Sequence, residues 1–241
     1  MILEYINDLM GLSLFHNMTK DDVINTLEHM STEIKTYKIN HYICKQNGKF
    51  NSLGIILSGK ASMERFCSST GTSAKYSLTK MSTFGVELVS SNISISPYTI
   101  KAMQKTMVLY IHLNYNKFFS TNKNNYRYLS KFYINLLNVL SSNIIDLNKQ
   151  MDYIRIVSIK KRLVKFLLDN RKNEDAYVFS IDMSQEQIAN YLNISMRTIT
   201  KLLPKLKENG IIDYHRSFFK ILDVERLSEF AQKPNELGTS A

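Results

Sequence analysis

Between Asn124 and Val157 the chain contains neither proline nor glycine, and Tyr133, Leu136, Leu140, Ile144, Leu147, Met151 and Ile154 recur at three- and four-residue steps. That spacing places the seven on one face of a single helix of about nine turns. A helix this long with so narrow an apolar stripe needs a cover. The cover is either the same helix in a second copy of the chain or the chain's own preceding domain. The seven residues are therefore the candidate dimer interface.

A different period precedes this helix. From about Tyr37 to Leu113 short β-branched and aromatic runs alternate with turn residues: Tyr42–Cys44, Gly54–Leu57, Ala61–Phe66 and Met107–Ile111. Short strands at this spacing predict an antiparallel sandwich or barrel. Asn47-Gly48 and Ser58-Gly59 are read as its hairpin turns, since both residue types accept positive φ. Ahead of the strands, Thr19 caps a helix over about Thr19–Met30 with Asp21 and Asp22 in its first turn.

After the long helix, Ser158 is an N-cap and a break, and the following helix (about Ile159–Asn170) turns Leu163, Phe166 and Leu167 inward. A polar loop at 171–175 leads to a short strand at Tyr177–Ile181. Ser184 and Gln187 then form a capping box that opens a helix with Ile188 and Leu192 inside. Ala189 is small where two helices must cross, and Asn193 suits a left-handed turn. Ser195 caps a second helix with Ile199, Leu202, Leu203 and Leu206 inside. Two short helices so spaced make a helix-turn-helix.

The outer face of that second helix carries Met196, Arg197, Thr200 and Lys201, which share one side by the i, i+1, i+4, i+5 rule. Arg197 suits bidentate bonding to guanine, Lys201 a guanine edge or a phosphate, and Met196 a thymine methyl. Ser195 and Thr198 stand near the helix N-terminus, where phosphate is favoured. Pro204 interrupts the helix interior and predicts a bend. Lys207-Glu208-Asn209-Gly210 closes it, and residues 211–222 read as two strands around a polar turn, a wing with His215, Arg216 and Ser217 at its tip. A purely structural hairpin has the same pattern.

Composition bounds the alternatives. With 241 residues the chain is long enough for two cores. No segment reaches the roughly 18 consecutive apolar residues of a membrane span, and the first residues lack a basic leader, so a cytoplasmic location is expected. The net charge of +10 is concentrated outside the helix-turn-helix: residues 151–241 hold 15 Lys+Arg against 12 Asp+Glu. The global charge thus supports a polyanionic partner weakly, and the local stretch Ser195–Lys220, with six basic and two acidic residues, supports it better. Cys44 and Cys67 read as two reduced thiols rather than a redox pair, and His41 with Cys44 is at most a weak metal pair, so no metal site is assigned. Paired carboxylates, a Ser/His/Asp arrangement, zinc spacing and a phosphate-cradling glycine loop are all absent from the sequence, so no enzyme is expected and no catalytic residue is assigned.

These segments together resemble the Crp/Fnr family of bacterial transcription regulators. The residues that carry the resemblance are Asn51–Lys60, similar to the family's barrel strand and turn, and Phe84-Gly-Val-Glu-Leu88, similar to its ligand-cassette glycine turn. Lys161–Leu168 is similar to its post-hinge helix, and Met183–Leu222 to its helix-turn-helix and wing. The resemblance implies an α+β chain: an N-terminal double-stranded β-helix, the cyclic-nucleotide-binding-like jelly-roll barrel with its N-terminal helix, over 1–120; a long dimerisation helix over 121–157; a C-terminal winged helix-turn-helix DNA-binding domain over 158–232; and a disordered tail over 233–241. It further implies a homodimer on near-palindromic operator DNA and a hinge at Ser158, with activation through RNA polymerase as the usual outcome and repression by occlusion using the same DNA contacts.

The sequence departs from the family at two places. Cyclic-nucleotide-binding relatives have a glutamate after the cassette glycine and an arginine for the cyclic phosphate; here Val86 follows Gly85, and no basic residue lies between Phe84 and Ile100. A buried phosphate without a bidentate partner forfeits about 1.5–3 kcal/mol. The cysteine cluster of the iron–sulfur branch is absent too, so neither cyclic nucleotide, iron–sulfur cluster nor haem is expected, and Phe84, Gly85, Glu87, Tyr98 and Thr99 are kept as a candidate pocket for some other small-molecule effector. In the recognition helix Met196-Arg197 replaces the family's arginine–glutamate pair, so a different operator is expected. The rival reading is a ligand-sensing module whose helix-turn-helix serves protein–protein interaction.

Overall fold

The computed structural model describes residues 2–67, 72–89, 94–113, 126–171 and 178–232. The expected tail at 233–241 and the loop at 172–175 lie outside these residues. The chain divides into two compact units, one up to Asn143 and one from Ile144 onward, with the helix Tyr126–Arg155 contributing to both.

The N-terminal unit is built on two four-stranded antiparallel sheets. One has the order β1 (Ser31–Tyr37), β8 (Thr106–His112), β3 (Leu53–Ser58), β6 (Thr83–Phe84); the other β2 (Tyr42–Cys44), β7 (Thr99–Ala102), β4 (Ala61–Cys67), β5 (Thr72–Leu78). Strand β3 shows why its sequence is an unbroken apolar run: it is buried on both faces. Ile56, with Val108 and Tyr110 of β8, packs against Ile100 and Ala61 of the facing sheet. Leu53, Ile55 and Leu57 point the other way, onto Leu109, Ile111 and a helical layer. That layer contains α1 (Ile6–Met10), α2 (Lys20–His29) and the first turns of α4 (Tyr126–Arg155), through Leu9, Val23, Leu27, Leu129, Phe132 and Leu136. A short helix, α3 (Val86–Val89), follows β6. The expected N-cap at Thr19 is present, with Asp22 completing a capping box.

The two turns read as hairpins are not hairpins. Asn47 has φ +64° and Gly59 φ +94°, so the backbone signal is met. Yet β2 and β4 belong to one sheet and β3 to the other, so both turns carry the chain across the sandwich. Burying β3 on both faces requires a central place between β8 and β6, and its sequence neighbours go elsewhere. Gly59 is needed there because a Cβ would collide with the Lys105 carbonyl.

The C-terminal unit begins with the last turns of α4 and continues through α5 (Ile159–Asp169), β9 (Val178–Ser180), α6 (Gln185–Tyr191), α7 (Met196–Glu208), β10 (Ile212–His215), β11 (Phe218–Ile221) and α8 (Val224–Gln232). Its core joins Tyr153 of α4 to Leu163, Phe166 and Leu167 of α5, Ile188 of α6, and Ile199 and Leu203 of α7.

Candidate nucleic-acid interface

The second helix of the helix-turn-helix is positioned by its caps. Ser184 Oγ accepts from the Gln187 N–H at 3.2 Å while the Gln187 side chain accepts from the Ser184 N–H at 2.7 Å, closing the capping box of α6. At the other end Asn193 has φ +51°. The Ile194 N–H donates to the Ala189 carbonyl at 2.9 Å and the Asn193 N–H to Asn190 at 3.2 Å, the paired bonds of a Schellman stop. Ala189 is buried at this crossing. Ser195 Oγ then accepts from the Thr198 N–H at 3.1 Å and starts α7. Helix α7 ends with the same stop on Gly210, φ +64°, where Ile211 N–H reaches Leu206 O at 3.0 Å. Pro204 lies inside α7, which runs as one helix from Met196 to Glu208.

Ile199, Leu202, Leu203 and Leu206 are buried, and Ser195, Met196, Arg197, Thr200 and Lys201 are exposed on the opposite side, with Thr198 half-buried. The hydroxyls are partly engaged. Ser195 Oγ and Thr198 Oγ1 are 2.7 Å apart, and Thr200 Oγ1 donates back to the helix carbonyls of Met196 and Arg197 at 3.0 Å. The unencumbered groups on this face are therefore the long side chains of Arg197 and Lys201 and the thioether of Met196.

The wing is the two-residue turn between β10 and β11, where His215 pairs with Phe218 in register and Arg216 and Ser217 form the tip. Strand β9 pairs on its outer side, and the stacked rings of Phe179, Phe219 and Tyr214 fill the face beneath. His215 and Arg216 are exposed; Ser217 is half-buried, with its carbonyl accepting from the Ile181 N–H at 2.8 Å. Lys207 of α7 reaches Asp213 of β10 at 2.7 Å and stands over the Tyr214 ring, bracing the wing against the helix. Lys207 holds the Asp213 carboxyl below its ordinary range.

The remaining candidates fall in several places. Ser158 caps α5, accepting from Lys161 N–H at 3.4 Å, and residues 156–158 separate it from α4. Along the apolar stripe, Leu136 is buried in the N-terminal unit's own core with Tyr133 and Leu140 packed on it, whereas Ile144, Leu147, Met151 and Ile154 are exposed. Of the pocket residues, Phe84 is a core ring packed on Phe50 and Tyr110, and Gly85 is a turn with φ +78°. Glu87 and Tyr98 line a cleft of about 510 Å³ with Met63 and Arg65, whereas Thr99 lines a different one with Tyr42 and Lys101. Burial, reinforced by Glu87, raises the Tyr98 phenol well above the usual tyrosine range. Burial also pushes the Cys44 thiol up, the opposite of what a reactive thiolate needs.

One residue escaped the sequence reading. Arg162 of α5 is buried, and its guanidinium bonds to the carbonyls of Ile156, Leu192 and Asn193. The signal was present: at three residues after Ile159 and four before Phe166, Arg162 stands in the apolar stripe of its helix.

Residues 161–230 match the Crp-like helix-turn-helix domain family. Over 85 residues the chain is 32% identical to the probable transcriptional regulator flp of Lacticaseibacillus casei; the match spans 35% of this chain and 39% of that relative, well under two thirds of its length. Among solved structures, a CooA mutant from Carboxydothermus hydrogenoformans aligns with a TM-score of 0.58 at 17% identity, covering 94% of this chain and 95% of its own. The Thermus thermophilus catabolite activator protein aligns with a TM-score of 0.50 at 19% identity, covering 92% and 99%. At these identities the likeness is one of fold.

Proposed function

We propose that this protein, which has the fold of the Crp/Fnr regulators and carries their helix-turn-helix domain at residues 161–230, is a transcription regulator that reads operator DNA as a homodimer. The observation that carries the reading is the solvent-facing side of α7, where Met196, Arg197 and Lys201 project from a helix fixed at both ends by caps. Arg197 and Lys201 read base edges and phosphate, Met196 contacts a thymine methyl, and Ser195 and Thr198 face the phosphates at the helix N-terminus. His215 and Arg216 touch the backbone beside the groove.

The dimer forms along Ile144, Leu147, Met151 and Ile154, whose exposure on one chain leaves an apolar strip for the same strip of a second copy. Two recognition helices about 34 Å apart then fit successive major-groove faces of a near-palindromic site. The regulator works without cyclic nucleotide, iron–sulfur cluster or haem. For cyclic nucleotide that reading is supported by Val86 after Gly85 and by the absence of a basic residue between Phe84 and Ile100. It acts in the cytoplasm as an activator that contacts RNA polymerase. No helix among the described residues is long and apolar enough to cross a membrane.

The test is selection of sites from randomised duplex DNA by the purified protein with no ligand added, beside an Arg197→Ala variant. The expected result is a palindrome for the wild type and relaxed preference at one position in the variant, with a loss of about 1–3 kcal/mol on the selected site. A wild type that enriches no sequence, alone or with cell extract, overturns the DNA-reading function in favour of a protein-interaction role.

A further inference from the structure

Arg162 is a buried cation whose partners are all main-chain carbonyls. Its Nε and Nη2 donate to Ile156 O at 3.1 and 2.8 Å, and its Nη1 donates to Leu192 O at 2.7 Å and Asn193 O at 3.1 Å. These acceptors belong to two different places. Ile156 is the first residue beyond the C-terminus of α4, and Leu192 and Asn193 are the stop of α6, inside the helix-turn-helix. Each is a helix end, where carbonyls lack intrahelical partners and the dipole is negative. A guanidinium stays charged and presents its donors as a rigid planar fork, so one side chain satisfies both ends at once and fixes their separation.

We propose that Arg162 is the positioning residue that locks the helix-turn-helix onto the final turns of α4. The neighbouring contacts agree. The Gln150 side chain donates to Tyr191 O at 3.0 Å, and Tyr153 is buried in the same core as α6 and α7, with its hydroxyl on Asp169 at 2.9 Å. These hold one side of α4. Arg162 alone, among the described residues, bonds both to the 156–158 break and to the turn before the reading helix. Because an ammonium is a compact point donor, lysine at 162 reaches one carbonyl cluster and releases the other. The break at 156–158 then becomes a swivel while both helices stay folded. The effect on DNA rests on the function proposed above; the clamp itself does not.

The test is a distance distribution by pulsed electron paramagnetic resonance between spin labels at Asn148→Cys and Lys220→Cys. The background is Cys44→Ala with Cys67→Ser, and labelled chains are diluted with unlabelled ones. Wild-type Arg162 is expected to give one narrow distance, and Arg162→Lys and Arg162→Gln a distribution roughly twofold wider or more, with the cooperative thermal melt retained. The clamp is overturned by an unchanged width in both variants, or by broadening that comes only with loss of the cooperative melt. In a second arm, duplexes carry the selected half-sites at varied spacing. The wild type is expected to prefer one spacing by about tenfold, and Arg162→Lys to keep single-half-site affinity while its spacing preference falls below about threefold. An Arg162→Lys variant that keeps the full spacing preference also counts against the clamp. Absence of any DNA binding by the wild type, with the distances behaving as expected, removes the proposed function and leaves the clamp standing.

Discussion

The Lys131 ammonium lies 2.6 Å from the Asp22 carboxylate oxygen that also accepts from the Thr19 N–H at 3.1 Å. One oxygen thus completes the capping box of α2 and ties that helix to α4, in a half-buried pair. Lys131, the largest influence, holds the Asp22 carboxyl below its ordinary range.

The pH dependence follows from that depression. A carboxyl whose folded pKa is lowered adds stability above its unfolded value, near 3.8, and loses it as pH falls through the folded one. Asp22→Asn, which keeps an acceptor for Thr19 but no charge for Lys131, is expected to lower stability at pH 7 by about 1 kcal/mol. Urea titrations of the two proteins from pH 7 to below pH 4 check this: the gap should hold until the ordinary carboxylate range and close beneath it.

Asn193 sits in the left-handed region at φ +51°, where a branched side chain is strained. Asn193→Gly should leave the melting temperature nearly unchanged, while Asn193→Val should cost about 1–2 kcal/mol. Differential scanning calorimetry gives the first quantity. Binding to the selected site gives the second, and it should fall with Asn193→Val because the turn sets where α7 begins.

Gly54 faces the Phe84 ring, and a Cβ there would collide with its outer edge. Gly54→Ala should destabilise the barrel by about 1–3 kcal/mol. Adding Phe84→Leu should restore part of the loss, because the smaller side chain vacates the contested space. A double-mutant cycle by chemical denaturation measures the coupling, which should be large and favourable.

The exposed half of the α4 stripe predicts an oligomer. Leu147→Glu with Met151→Glu should convert a dimer to a monomer in sedimentation velocity, and affinity for the two-half-site operator should fall by about tenfold or more. Folding of each unit should persist, since neither side chain is buried in one chain.

What was legible in the sequence is what short-range chemistry writes. Ser184 with Gln187, Ser195 with Thr198, and Asn193 and Gly210 each announce a helix end through bonds spanning at most five residues, and each is found where the spacing predicts. Strand pairing carries no such local mark. Asn47 and Gly59 show that the backbone turns, and the sheet to which the chain turns depends on Ile56 finding Ile100 some forty residues later. The seven-residue stripe of α4 is likewise uniform as a pattern, yet Leu136 meets Phe132 and the helices of its own unit whereas Leu147 meets solvent. The place of Arg162 in the apolar stripe of its helix is legible in the same way, but its bonding is not, because its acceptors at Leu192 and Asn193 are about thirty residues away.

Arg216 at the wing tip adopts φ +53°, a conformation in which glycine or asparagine is at ease and arginine is not. The hairpin would fold more readily with glycine there, by about 1 kcal/mol. Nothing in the wing's packing calls for a cation, because the side chain points into water. On the DNA-reading function proposed above, the position is therefore one where foldability and recognition pull in opposite directions, and a variant chosen for thermal robustness alone would be drawn to discard this charge.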